Sequence, residues 1–140
     1  MTTDVRPLTP EDSGYKKALI ASLCSGLASY NALYATQAVL PALSEDFGIS
    51  PSLAALTVSA TTGGLALMVI PLSIVSERFG RRHVIQASVL AATILSLALV
   101  ALPSIQSIIA VRLVQGIAVG GVPAVTMAFL SEEIDRRYLP

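Results

Sequence analysis

The chain has 140 residues, of which 54% are hydrophobic and only 13% are charged, and its nine basic and nine acidic residues cancel. Ordinary soluble domains carry about 25% charged residues, so this composition indicates an integral membrane protein. The net charge therefore gives no information on partners, and the basic cluster at Arg81 and Arg82 is too short and too close to lipid to predict binding of nucleic acid. Cys24 and His83 are the single residues of their types, which excludes an intrachain disulfide and a zinc site of Cys and His ligands. We expect no metal and no cofactor.

Four long apolar runs follow one another along the chain. Each is close to the length of about 20 residues with which an α-helix crosses the hydrocarbon layer, and continuous runs of this length favour helices over strands. A polar tail, residues 1–17, precedes them and lacks the basic start of a cleaved signal peptide. A charged C-terminal end, residues 131–140, follows them. The predicted spans within the membrane domain 18–130 are residues 18–40, 53–75, 84–102 and 107–130.

The basic residues predict the orientation of these spans. Cytoplasmic loops carry an excess of Lys and Arg, whereas the segment after the first span contains Glu45 and Asp46 and no basic residue. A topology with both termini in the cytoplasm places eight of the nine basic residues inside: Arg6, Lys16, Lys17, Arg78, Arg81, Arg82, Arg136 and Arg137. The sequence therefore predicts a multi-pass protein of the cell membrane, with the lipid bilayer as its solvent.

Arg112 is the charged residue that remains, and it falls inside the fourth predicted span. A charged side chain at the bilayer centre costs about 2.5–3.5 kcal/mol on insertion scales, so it normally faces the bundle interior or a water-filled cavity and marks a functional site. The alternative is a later start of the span, which lets Arg112 snorkel to the outer headgroups. At 100° per residue its face also carries five residues, Gln115, Gly116, Val119, Pro123 and Thr126.

Glycines of the fourth span predict close helix packing. Gly116 and Gly120 form a G-x-x-x-G motif, which allows the backbone of a second helix to approach. Gly120, Gly121 and Pro123 are also expected to weaken or bend the helix at this point.

A polar arc lies on the first predicted span. Tyr30, Tyr34 and Gln37 fall within about 60° of helix surface, with Asn31 at the flank. Polar groups at membrane depth need partners or water. The arc is either a cavity wall that contacts solute or a set of interhelical hydrogen bonds, each worth about 0.6 kcal/mol.

A short charged segment, residues 73–83, separates the second and third spans and is predicted to be a cytoplasmic loop. Glu77 is expected to pair with the neighbouring Arg side chains or to stabilise a helix N-terminus. The alternative is that these charges only set the topology.

Two motifs in this order resemble those of the Major Facilitator Superfamily, in particular its drug/proton antiporter-like exporters. The family's loop signature G-x-x-x-D-R-x-G-R-R is matched by residues 73–82, with Ser73 in place of the glycine and Glu77 in place of the aspartate. The antiporter signature R-x-x-Q-G is matched by residues 112–116. The resemblance covers essentially the whole chain.

The resemblance implies an all-α polytopic membrane protein, whose four transmembrane helices are part of an N-terminal six-helix bundle. It implies a proton-coupling role for Arg112 and Gln115 in the efflux of a small-molecule substrate by alternating access, and no enzymatic activity. It also implies a conformational-switch loop, made of Glu77, Arg78, Gly80, Arg81 and Arg82. Substrate contact is implied for the polar residues of the first span, Tyr30, Asn31, Tyr34 and Gln37.

Transporters of this family have two six-span halves, each built of three-span inverted repeats. The four predicted spans correspond to one repeat and the first helix of the next. We therefore expect the partner of these spans to be the rest of a longer transporter or, alternatively, further copies of a four-span protein that oligomerises. A third alternative is a fragment that is inactive in transport.

Overall fold

The computed structural model describes residues 9–10, 12–123, 125–126 and 128, and within them all regular structure is helical. A 3₁₀ segment, Ala35–Val39, joins the first two α-helices. The α-helices are α1 (Ser13–Tyr34), α2 (Leu40–Asp46), α3 (Pro51–Phe79), α4 (Arg81–Leu99) and α5 (Ile105–Val119). The predicted all-α class is confirmed.

Three helical segments of the described chain are long and apolar enough to cross a membrane: Ser13–Asp46, Pro51–Phe79 and Arg81–Leu99. The fourth apolar helix, α5, has 15 residues, which corresponds to about 22 Å at 1.5 Å per residue. Helical residues also occur beyond it, at 122–123, 125–126 and 128. The predicted C-terminal end, residues 131–140, lies outside the described residues.

The end of the first span differs from the prediction. The predicted first span ends at residue 40, yet the chain continues through the 3₁₀ segment into α2. Pro41 lies at the start of α2, where a helix does not use the N–H that proline lacks. The predicted outer loop therefore shrinks to residues 47–50, in which Gly48 has a φ of 58° and Ser50 caps α3 by accepting a hydrogen bond of 3.3 Å from the Leu53 N–H.

The charged segment between the second and third spans is not a loop, which corrects the prediction. Glu77 and Arg78 belong to α3, and Arg81 and Arg82 are the first residues of α4. Gly80 alone separates the helices, with φ 87° and ψ 128°, a conformation that residues with a Cβ rarely adopt. Both helices continue through the charged residues because Glu and Arg are good helix formers.

Backbone contact joins α5 to α3. A Cβ on Gly116 would overlap the Thr61 carbonyl, and a Cβ on Gly120 would lie 2.9 Å from the Leu65 carbonyl oxygen. The buried Thr61 hydroxyl donates to the Thr57 carbonyl of its own helix at 3.0 Å. It therefore needs no acceptor from α5. Because α5 also packs against α4, and α4 packs against α1, α5 lies at the centre of the described helices.

The centre of the predicted fourth span is interrupted, as its glycines indicated. α5 ends at Val119, and the Gly120 N–H bonds to the Ile117 carbonyl at 3.4 Å, three residues back rather than four. The Val125 N–H then bonds to the Gly121 carbonyl at 2.9 Å. Two glycines in succession lower the helix propensity of this turn.

Candidate functional site: the buried Arg112–Gln115 pair

Arg112 and Gln115 are among the most deeply buried side chains of the described residues, with 2% and 0% of their surface exposed. Arg112 lies seven residues into α5, about 10 Å along its axis from Ile105. α5 lies between α3 and α4, so the side chain points into the bundle and does not snorkel to the headgroups. The pair has the position in which a membrane cation marks a functional site.

The guanidinium of Arg112 links α5 to α1. Its Nη1 donates to the Ala32 carbonyl at 2.7 Å and to the Gln115 Oε1 at 2.6 Å. Ala32 lies in the last turn of α1, directly before the chain changes to the 3₁₀ segment. A cation is favoured at a helix C-terminus, so α1 partly compensates the charge of Arg112.

Gln115 extends the network to α4. Its Nε2 donates to the Ser96 Oγ at 2.7 Å and to the Ala92 carbonyl at 3.3 Å, and the Ser96 hydroxyl donates to the Ala92 carbonyl at 2.8 Å. Because Arg can only donate, the amide oxygen of Gln115 faces Arg112 and the amide nitrogen faces α4. All these bonds run in one direction, which lets each polarise the next.

Ser96 was not identified from the sequence as a site residue. The available signal was the spacing of Ser88, Ala92 and Ser96, which lie four residues apart and therefore on one face of α4. Ser88 and Ala92 on this face are buried. Only the packing of α5 on α4 shows that the face meets Gln115.

A cavity of about 680 Å³ adjoins the pair and is bordered by α1, the 3₁₀ segment, α4 and Arg112. Asn31 lines it, so the structure brings one predicted cavity residue of the first span together with Arg112. Other polar side chains on its wall are Ser29, Thr36, Thr93 and Ser96. The volume lies within the range of about 300–1,000 Å³ that is typical of small-molecule sites.

The other predicted cavity residues of the first span do not line this cavity, and their contact with substrate stays a prediction. Tyr30 is 65% exposed and lines a second cavity, of about 600 Å³, with Pro123 and Thr126. Tyr34 is 40% exposed, its ring 4.6 Å from that of Tyr30. Gln37 is exposed and borders neither cavity. Gln37 departs from the arc because the 3₁₀ segment that begins at Ala35 turns by about 120° per residue rather than 100°. Tyr30 and Tyr34 precede this segment, so the rotation of α1 against its neighbours decides their position.

The predicted switch residues lie far from the pair. Gly64 of α3 faces Leu113 of α5, and Gly80 follows Gly64 by 16 residues, or about 24 Å of helix. Glu77, Arg78 and Arg82 are exposed, and Arg81 is half-buried. Any effect of these residues on the Arg112 pair has to pass along α3 or α4.

We predict that Ser96→Ala weakens the orientation of Gln115. The substitution removes the shorter of the two acceptors of the amide nitrogen, a loss worth about 1 kcal/mol, and we expect a two- to fivefold decrease in transport. Ser59→Ala is the control, since the exposed Ser59 hydroxyl of α3 donates to the Ala55 carbonyl of its own helix and borders neither cavity. Equal transport by the two variants in a vesicle assay would contradict a role for Ser96.

Helices of this length and composition, with a buried cation beside a partly polar cavity, define a polytopic α-helical membrane protein with an internal polar site. The chain belongs to the Major Facilitator Superfamily, whose sequence profile matches residues 19–139. This confirms the family that the two motifs predicted, and with it a partial secondary-transporter fold. The drug/proton antiporter subtype is not part of this finding.

Several curated relatives are transporters. The chain is 33% identical over 133 residues to the uncharacterized MFS-type transporter YybF of Bacillus subtilis, covering 95% of this chain and 32% of that protein. It is 33% identical over 120 residues to the inner membrane transport protein YnfM of Escherichia coli, covering 86% of this chain and 29% of that protein. The chain thus spans about a third of the length of these relatives. No solved structure matches it significantly.

Proposed function

We propose that the chain is the N-terminal part of a proton-coupled secondary transporter that exports small molecules by alternating access. The observation that carries the proposal is the buried Arg112–Gln115 pair, whose Arg112 borders a cavity of about 680 Å³. A cation is expensive at membrane depth, and here it is held by neutral acceptors of α1 and α5. Because its acceptors are neutral, the positive charge of Arg112 can attract anionic groups that enter the cavity.

In this proposal Arg112 acts on the proton without carrying it. An arginine keeps its charge in proteins, and no Asp or Glu of the described residues lines the cavity. In this proposal the proton-binding group lies outside the described residues. The field of Arg112 favours the deprotonated, anionic form of that group, and Gln115 holds the guanidinium in position through its Oε1.

The charged helix ends around Gly80 are proposed as the switch of the transport cycle. α3 and α4 meet at this single residue, so a rotation of one helix against the other concentrates at its backbone. The positive-inside rule, applied to Arg78, Arg81 and Arg82, supports a cytoplasmic position for the switch and for both termini of the chain.

The packing favours a longer transporter over an oligomer of four-span chains. Gly64, Gly116 and Gly120 already hold α3 and α5 in backbone contact within the chain, so these glycines do not serve contacts between copies. An antibody against residues 1–15, applied to native membranes, distinguishes the two. We expect a mass about three times that of the 14.6 kDa chain, since the chain covers 32% of its relative from Bacillus subtilis.

The function is tested in inverted membrane vesicles that contain the full-length protein. Respiration acidifies their interior, and the pH gradient is followed with a fluorescent weak base. We expect some members of a panel of small amphipathic compounds to dissipate the gradient, because each import into the vesicle releases protons. A panel that leaves the gradient unchanged, or uptake that a protonophore does not abolish, would refute proton-coupled export.

A further inference from the structure

Arg112 has donors that the network does not use. The Nε and Nη2 atoms are buried and have no hydrogen-bond partner, although Nη1 serves two acceptors. A buried donor without a partner costs about 1–3 kcal/mol, and more when it is charged. Both unpartnered nitrogens lie on the same edge of the guanidinium, the edge that binds carboxylates with two parallel hydrogen bonds.

The charge of Arg112 is also uncompensated by any acid of the described residues. The acids of the described chain lie at the ends of helices: Asp12 before α1, Glu45 and Asp46 at the end of α2, and Glu77 near the end of α3. Neither Ala32 nor Gln115 brings a negative charge. Arg112, which lines the cavity, therefore brings one fixed positive charge and a buried donor pair without an acceptor.

The rest of the cavity wall indicates what kind of group the ligand carries besides its anionic head. Leu27, Val89, Leu97 and Leu99 give it an apolar lining on α1 and α4. Asn31 adds an amide group and Thr93 a hydroxyl group. A molecule with an anionic head and an apolar body matches both features.

We propose that the cavity binds an amphipathic organic carboxylate, whose two oxygens accept from the Nε and Nη2 of Arg112 while its apolar part lies along α4. The two nitrogens expose less than 1 Å² each, so the guanidinium turns toward the cavity that it already lines when the ligand enters. This inference rests on the proposed transport function, because it gives the charge of the cargo. Arg112 is then a substrate-binding residue as well as an electrostatic one.

The test is a binding measurement on the full-length protein in mild detergent, with three probes of equal chain length: octanoate, octanol and octylammonium. We expect octanoate to bind at least tenfold more tightly than octanol, and octylammonium to bind more weakly than either. Equal binding of octanoate and octanol, or preference for octylammonium, would overturn the proposal. This comparison uses the wild-type protein alone, so it does not depend on the folding of any variant.

Variants then locate the site. Arg112→Gln should weaken octanoate at least tenfold and leave octanol unchanged, whereas Val114→Ala, at a position of α5 that is 48% exposed and outside the cavity wall, should change neither. Octanoate binding that Arg112→Gln leaves intact would place the anion elsewhere and refute the site. The vesicle assay separates the two proposals: proton-coupled export without selective octanoate binding refutes only the carboxylate site, and selective binding without proton coupling refutes only the transport mechanism.

Discussion

Arg112→Met is expected to reduce proton-driven transport roughly ten- to hundredfold, which corresponds to the loss of charged hydrogen bonds worth about 1.5–3 kcal/mol. Methionine keeps most of the side-chain length but removes the cation that faces the cavity. The Ala32 carbonyl and the Gln115 Oε1 lose their common donor. Transport is measured as the rate of substrate-induced dissipation of the pH gradient in vesicles with equal amounts of protein.

The folded state should respond much less than transport does. Replacing a buried, uncompensated charge by an apolar side chain of similar volume is often neutral or stabilising, so we expect the thermal midpoint of Arg112→Met to stay near that of the wild type. Arg112→Lys keeps the charge but loses the two-pronged geometry of the guanidinium. Its transport rate should lie between those of the wild type and Arg112→Met. If transport and thermal stability fell in parallel, Arg112 would be a structural residue and the proposed role would be wrong.

Gly64→Ala is expected to destabilise the protein more than the other alanine substitutions proposed above. A Cβ at this position would overlap the Leu113 carbonyl and lie 2.9 Å from the Ile117 backbone nitrogen. Backbone atoms cannot move aside as a flexible side chain can, so α3 and α5 have to separate. Overpacking of this kind costs about 1–3 kcal/mol. The measurement is the loss of helical circular dichroism on heating in mild detergent.

The neighbouring glycine provides a matched control. A Cβ on Gly63 would meet no atom within 4 Å, and Gly63→Ala gains about 0.8–1.0 kcal/mol in helix propensity. Since Gly64→Ala gains the same propensity, the difference between the two midpoints isolates the contact with α5. We expect Gly63→Ala to unfold at or above the wild-type temperature and Gly64→Ala clearly below it. Equal midpoints would show that α3 and α5 are not in backbone contact.

The sequence predicts close packing at Gly116, but it does not predict the contact at Gly64. G-x-x-x-G at Gly116 and Gly120 indicates that some helix approaches closely, because the motif removes the side chains that would prevent it. It does not say which helix. That α3 is the partner, with Gly64 facing Leu113, depends on the order in which four helices pack, and the sequence of α5 contains no information on this order.

The polar site shows the same division. The cost of a charge in hydrocarbon was enough to single out Arg112, and helical periodicity was enough to place Gln115 three residues on along the same face. Hydropathy alone located the apolar runs, and the positions of Lys and Arg predicted their orientation. These features are local: each follows from the chemistry of a few consecutive residues against lipid and water.

The sequence by itself thus determined the class of protein, its apolar helices, its family motifs and the charged residue at the centre of its site. Tertiary structure decided which groups meet that residue: the Ala32 carbonyl of α1, the Ser96 hydroxyl of α4 reached through Gln115, and Asn31 rather than Tyr34 beside the cavity. It also turned the expected loop at Gly80 into a single-residue joint. The reason is physical, because contacts between helices depend on how each helix is rotated about its axis against its neighbours, and no short stretch of sequence determines that rotation.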